Sequence, residues 1–114
     1  MNTEEILLNE IVSIINRIKD MRYDELLKEG YLETLTKDEI IEEINIYGGN
    51  ITKTDIIEYK KSFQYMRINN TDEYKVFLDF WIDNERSDLT LVCNIELDSN
   101  NNIINSVIDE VHVL

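Results

Sequence analysis

The spacing of hydrophobic residues changes once along the chain, from a helical period in the first part to a strict alternation in the second. Between residues 3 and 21 the apolar positions recur every three or four residues, which predicts an amphipathic helix. Its apolar stripe comprises Leu7, Leu8, Ile11, Val12, Ile14, Ile15 and Ile18. We expect this face to pack on a sheet, because a helix in a small domain buries its apolar stripe against another element.

Two further helices are predicted before residue 48. A short helical turn over Tyr23–Glu29, closed by Gly30, would bury the neighbouring apolar residues Leu26, Leu27, Tyr31 and Leu32. The sequence Thr36-Lys37-Asp38-Glu39 has the form of a capping box, in which Thr36 and Glu39 each accept a hydrogen bond from the other's backbone amide. The helix that follows would run to Tyr47, where Gly48 and Gly49 end it.

Residues 50–62 fit either one helical turn capped by Thr52 or Thr54, or a loose strand. Beyond them polar and apolar residues alternate, and this period predicts four strands, at 63–68, 74–83, 89–97 and 103–113. Runs of Asn, Asp, Ser and Thr separate the first strand from the second and the third from the fourth. In the last strand Val107, Val111 and Val113 would share one face.

Helices followed by consecutive strands are typical of the α+β class. We predict two or three N-terminal helices packed on one face of a curved antiparallel sheet of about four strands, and a cone-like domain is one form of this arrangement. Strands joined by short turns usually pair as neighbours, so a meander is expected. The length of 114 residues predicts one domain over 1–114, with a helical part at 3–47 and a sheet part at 63–114.

Charge is the most marked feature of the composition. The chain has 24 acidic and 11 basic residues, a net charge of −13 that is spread over both halves. Such a field repels nucleic acid and anionic membranes and speeds encounters with basic proteins. No apolar run is long enough to cross a membrane, and the N-terminus is acidic where a signal peptide would be basic. We therefore expect a cytoplasmic protein, in agreement with a lone cysteine that has no partner for a disulfide.

No set of residues assembles a catalytic or metal site. His112 is the only histidine, and no nucleophile elbow surrounds Ser87 or Ser106, so we expect His112 to pair with a neighbouring carboxylate. Cys93 lies among alternating apolar residues and is expected to be a core residue. One histidine and one cysteine exclude zinc-finger spacing, and no calcium-loop pattern is present. The sequence predicts no enzyme, cofactor or metal.

The stretch Trp81–Leu91 joins the two strongest strand patterns through a charged turn. An exposed Trp ringed by charges is typical of a binding hot spot. The predicted partner-binding residues are Trp81, Asp83, Glu85 and Asp88, with Asp79 and Glu110 as second choices. A structural alternative has Asp88 capping the turn through backbone amides ahead of Leu89, and Arg86 paired with Glu85 or Asp88.

Three segments resemble a family of small bacterial proteins: Trp81 with Glu85–Leu91, the helix start Leu35–Glu39, and Val111–Leu114. Members of that family look like single domains with N-terminal helices and a strand–turn–strand end, often with a Gly near the positions that Asn84 and Glu85 occupy here. The family has no assigned activity, so the resemblance implies a fold and a bacterial source and transfers no catalytic residue. In size, acidity and expected location, the chain is also similar to immunity proteins that neutralise bacterial toxins.

These observations lead us to expect an acidic binding protein, an immunity-type inhibitor that occludes a basic toxin such as a nuclease. Its acidic side chains would stand in for substrate phosphates. One alternative is a cone-like domain with a small-molecule or hydrolytic pocket built from Tyr65, Trp81, His112 and a carboxylate. Another is a regulatory or structural domain that forms a homodimer through its sheet face.

Overall fold

The computed structural model describes residues 1–114, which form four helices and five strands. The helices are α1 (Thr3–Lys19), α2 (Tyr23–Lys28), α3 (Lys37–Tyr47) and α4 (Ile56–Ser62). The strands are β1 (Ile51–Thr52), β2 (Gln64–Arg67), β3 (Glu73–Ile82), β4 (Glu85–Leu97) and β5 (Ile103–Val113). The predicted α+β class is confirmed, with mostly N-terminal helices against an antiparallel sheet that does not close. None of the helices is both long and apolar enough to cross a membrane.

The sheet has the order β1-β3-β4-β5, and β2 pairs with the same strand edge as β1. Strands β2 to β5 therefore form the predicted meander. The ambiguous segment 50–62 contains both of the structures that its sequence allows, the two-residue β1 and the helix α4. The residue that caps α4 is Asp55, whose carboxylate accepts the Glu58 N–H at 2.9 Å, and not Thr52 or Thr54.

One hydrophobic core fills the space between α1 and the sheet and contains 21 buried residues. Helix α1 contributes six of them, Leu7, Leu8, Ile11, Ile14, Ile15 and Ile18, as its apolar stripe predicts. The Thr36–Glu39 capping box is confirmed at the start of α3. Leu27, which we expected to be buried, is 65% exposed. Adjacent residues of a helix point about 100° apart, and in α2 it is Leu26 that faces the core.

The turn between β3 and β4 contains two residues, whereas the predicted strands at 74–83 and 89–97 left five residues, 84–88, between them. Asp83 and Asn84 both have positive φ angles, 50° and 65°, the type I′ geometry that matches the twist of paired strands. Asp and Asn enter this region more easily than other non-glycine residues, so the chain turns here without a Gly. Beyond the turn, the three residues Ser87–Leu89 lie opposite Phe80 alone. Most of the charged residues expected in the turn therefore belong to β4.

A bulge in β5 reverses the faces of that strand. Cys93 pairs with Ile108 and Val92 with Glu110, which leaves Asp109 without a partner in β4. Val111 faces the core, whereas Val107 pairs with Asn94 and lies outside the core cluster. The prediction that Val107 shares a face with Val111 is therefore wrong. An extra residue shifts the two-residue period of a strand, and the sequence alone does not reveal it.

Candidate functional site

Trp81 is half-buried and packs against the core. Its indole N–H is enclosed and has no hydrogen-bond partner. A Trp that anchors a partner offers its ring to solvent in the free protein, whereas much of the Trp81 surface is already used within the fold. This placement favours a structural role over the exposed epitope that we expected.

Asp83 ties the hairpin turn to the segment before β1. Its Oδ1 accepts the Asn50 N–H at 3.0 Å, and its own N–H donates to the Asn50 carbonyl at 2.9 Å. The N–H of Asn84 donates to the Thr52 hydroxyl at 2.9 Å. Glu85, by contrast, is exposed and its carboxylate makes no hydrogen bond. Asp83 and Glu85 were both predicted to bind a partner, and of the two only Glu85 has a carboxylate without a hydrogen bond.

Asp79 and Asp88 line an open depression of about 640 Å³, together with Arg86. The Arg86 Nε–H donates to Asp79 Oδ2 at 3.0 Å, and the Thr90 hydroxyl donates to Asp79 Oδ1 at 2.8 Å. The Tyr47 hydroxyl donates to Asp88 Oδ1 at 2.7 Å, and this bond to a carboxylate raises the pKa of Tyr47. The carboxylates of Asp79 and Asp88 thus already accept hydrogen bonds from other residues of the chain.

These contacts differ from the structural roles that we expected in the turn. Arg86 pairs with Asp79 and not with Glu85 or Asp88. The backbone ahead of Leu89 is held by Ser87, whose hydroxyl accepts the Leu89 N–H at 3.2 Å and donates to the Phe80 carbonyl at 2.6 Å. The prediction that Asp88 makes this cap is therefore wrong, because the irregular pairing after the turn brings Ser87 to the backbone.

Glu110 lies in a different depression, a groove of about 300 Å³ between α3 and β5, which we call the α3–β5 groove. Eight residues line it: Leu35, Glu39, Glu42, Glu43, Asp109, Glu110, Val111 and His112. Five of the eight are carboxylic acids, and none is Lys or Arg. The groove is therefore a concentrated source of negative charge in an already acidic protein.

The acids of the α3–β5 groove differ in the hydrogen bonds and ion pairs that they make within the chain. Glu39 belongs to the capping box, and Asp109 lies 3.4 Å from the Lys75 ammonium. The His112 Nδ1 is 3.4 Å from a carboxylate oxygen of Glu110, which is the kind of pairing predicted for the histidine. Glu42 and Glu43 are exposed and make no hydrogen bond or ion pair. These two side chains are free to meet a cation from outside.

Comparison with known proteins places the chain in a family. Residues 15–114 match a family model described as a domain of unknown function, DUF7668. The chain belongs to this family. No curated protein and no solved structure matches it. The DUF7668 family carries no activity in its description, in line with the unassigned family that the sequence resembles.

Sequence reasoning found Glu110 but missed the other four acids of the groove. A signal for three of them was present, since Glu39, Glu42 and Glu43 recur at three- and four-residue spacing on the polar side of a predicted helix. Their position beside β5 depends on how α3 packs, and the spacing says nothing about that. Asp109 enters the groove at the β5 bulge.

The residues of the alternative pocket lie apart. Tyr65 packs on Phe63 and Tyr74, with ring centroids 5.6 and 6.1 Å away, while His112 borders the α3–β5 groove. Cys93 is fully buried in the core, as predicted, and burial raises the pKa of its thiol well above the ordinary value. No group of three or more His, Cys, Asp and Glu side chains is arranged to hold a metal ion.

Proposed function

We propose that this DUF7668 domain is a cytoplasmic binding protein for a basic protein partner, and that it acts as an immunity-type inhibitor of a basic toxin such as a nuclease. One observation carries the proposal: the α3–β5 groove gathers five carboxylic acids and no Lys or Arg. Inhibition would occur by occlusion, with carboxylates occupying the positions that substrate phosphates take on the toxin.

The free carboxylates of the groove make it a better docking surface than the hairpin. Asp79, Asp83 and Asp88 already accept hydrogen bonds from their own chain, and a partner would have to compete for them. Glu42 and Glu43 have no such bonds. A cation that reaches them gains Coulomb energy without displacing an internal donor. Of the residues predicted from the sequence, only Glu110 lies in the proposed surface.

The net charge of −13 supports the same partner class. A strong field of one sign steers an oppositely charged protein toward the surface and raises the association rate, and added salt screens this effect. A basic toxin domain would therefore meet the groove faster at low ionic strength. A partner with an acidic surface would be repelled.

The test co-expresses the chain with any basic protein encoded beside its gene that is toxic when expressed alone, and measures growth. It then measures the binding kinetics of the purified pair at low and high salt. We expect rescue of growth and an association rate that falls with salt. A toxin that neither binds the chain nor is neutralised by it would refute the immunity proposal.

Two matched triple variants locate the surface. Glu42→Gln, Glu43→Gln and Glu110→Gln neutralise the groove, whereas Glu5→Gln, Asp24→Asn and Glu33→Gln remove the same charge from carboxylates that make no hydrogen bond elsewhere. Exposed ion pairs contribute about 0.2–1 kcal/mol each, so the loss of three should weaken the affinity of the groove variant by about 3- to 150-fold. The control should lose mainly association rate. Equal losses in the two variants would show that net charge acts without a defined site.

A further inference from the structure

Strand β5 is the last strand of the sheet, and one of its edges has no strand partner. A single backbone hydrogen bond leaves β5 in that direction, from the Ile108 N–H to the Tyr31 carbonyl at 2.9 Å. The segment after α2 thus covers the middle of the edge. The part of β5 that follows the bulge makes no backbone hydrogen bond on this side, although α3 lies beside it. A strand edge with unpaired backbone groups can pair with another chain.

The direction of the Ile108 N–H identifies which backbone groups are unpaired. Residues of an antiparallel strand alternate between those whose N–H and C=O face the neighbouring strand and those whose groups point away. Cys93 lies opposite Ile108 and Leu91 lies opposite Val111, and β4 pairs regularly with β3 at both positions. Leu91 is therefore in the same phase as Cys93. The N–H and C=O of Val111, and those of Val113 two residues on, face the open edge.

The unpaired edge runs along the α3–β5 groove, since Val111 is one of the residues that line it. An extended chain laid beside Val111 and Val113 would have Glu42 and Glu43 of α3 close by. Its backbone would find hydrogen-bond partners on β5, and its side chains would meet carboxylates. The chemistry of the groove therefore selects an extended segment rich in Lys or Arg.

A second copy of this chain is a poor occupant of the same edge. Each copy would bring five acids of its own groove and a net charge of −13 to the contact. Like charges beside a strand edge oppose pairing between copies, and natural sheets use charged residues there to prevent it. Charge complementarity thus favours a basic segment over self-association.

We propose that the open edge of β5 binds an extended basic segment of the partner by strand addition, with Val111 and Val113 supplying the backbone bonds and Glu42, Glu43 and Glu110 selecting Lys or Arg. This inference rests on the proposed function and adds the mode of recognition to it. The partner would present a flexible or strand-forming basic segment, in contrast to a rigid basic patch that acts by charge alone.

The test uses an acetylated and amidated peptide of alternating Lys and Val, together with the same peptide N-methylated at its backbone amides. Both carry the same charge, but the methylated peptide cannot donate backbone hydrogen bonds. We expect the unmodified peptide to shift the NMR amide signals of Val111 and Val113 and to slow their hydrogen exchange. The methylated peptide should bind at least about fivefold more weakly, the effect of losing a single net backbone hydrogen bond.

A pair of variants in the protein gives an independent measurement. Val113 is half-exposed and its N–H faces away from β4, so Val113→Pro removes an edge donor while Val113→Ala keeps it. The unmodified peptide should bind Val113→Ala almost as well as the wild type and Val113→Pro about fivefold more weakly. Circular dichroism of both variants shows whether the sheet is intact.

The remaining outcomes separate the failure of strand addition from the failure of the proposed function. If both peptides bind equally well and only the NMR signals of the α3 acids shift, strand addition would be overturned. The proposal of an acidic docking surface would still hold. If neither peptide binds at millimolar concentration, both proposals fall. If the groove triple variant self-associates in sedimentation and the wild type binds no peptide, the acids serve only to keep copies of the chain apart.

Discussion

Replacing Gly49 by Ala tests how closely the segment before β1 is held against the β3–β4 turn. Gly49 has a φ of 80°, a conformation that residues with a side chain rarely adopt. A Cβ at this position would lie 2.5 Å from Cγ2 of Ile82 and 2.8 Å from Oδ2 of Asp83. Ile82 is buried and Asp83 is bonded to Asn50, so neither side chain moves freely.

Gly30 provides the matched control, because its φ is 84° and no atom lies within 4 Å of the Cβ that a substitution would add. Gly30→Ala should cost about 1 kcal/mol, from the left-handed conformation alone. Gly49→Ala carries the same conformational cost and adds overpacking, which typically costs about 1–3 kcal/mol. We expect a total of about 2–4 kcal/mol for Gly49→Ala.

Urea unfolding measures the difference directly. Trp81 is the only Trp and packs against the core, so its fluorescence should report global unfolding. With an m-value of about 1–3 kcal/mol per molar urea, the midpoint for Gly49→Ala should fall at least twice as far as that for Gly30→Ala. Equal shifts of the two midpoints would refute the reasoning, since they would mean that the segment moves away from Ile82 without cost.

Three further predictions concern single side chains. Thr36→Ala should lower the free energy of unfolding by about 1 kcal/mol and Thr36→Ser by much less, because Ser keeps the capping hydroxyl; equal losses in thermal unfolding would contradict this. Asp83→Ala should cost about 1–2 kcal/mol in urea unfolding, because the Asn50 N–H loses its acceptor and Ala disfavours positive φ, while Asp83→Asn retains both properties; a similar cost for Asp83→Asn would show that the charge matters instead. Burial raises the pKa of the Cys93 thiol, so only the unfolded chain ionises above about pH 8.5, and stability should fall there relative to Cys93→Ala; parallel pH curves would contradict it.

Local patterns predicted the elements of the fold well. The α1 stripe, the Thr36–Glu39 capping box and the Gly48 helix end each depend on residues that are close together in the sequence, and all three appear in the structure. The order of β2 to β5 also followed from the sequence, since short turns leave neighbouring strands little choice of partner. These features depend on residues close in the chain.

Irregular pairing is where prediction from the sequence failed. The bulge at Asp109 and the unequal pairing around Phe80 each shift a strand's alternation, and no residue type marks either position. As a result Val107 was assigned to the wrong face, and the backbone cap that Ser87 makes was assigned to Asp88. The α3–β5 groove was missed for a related reason: it brings together α3 and β5, which are far apart in the chain, and only the packed structure shows it.

The two-residue turn at Asp83 and Asn84 also bears on how fast and in what order the chain folds. A turn that already has the twist of its strands lets β3 and β4 pair from the turn outward, with little loop-closure entropy to overcome. Helix α1 packs on those strands from the other end of the sequence. We expect it to dock after β3 and β4 have paired. Substitutions in the turn should therefore slow refolding, whereas substitutions at the α1 contact with β3 should chiefly speed unfolding.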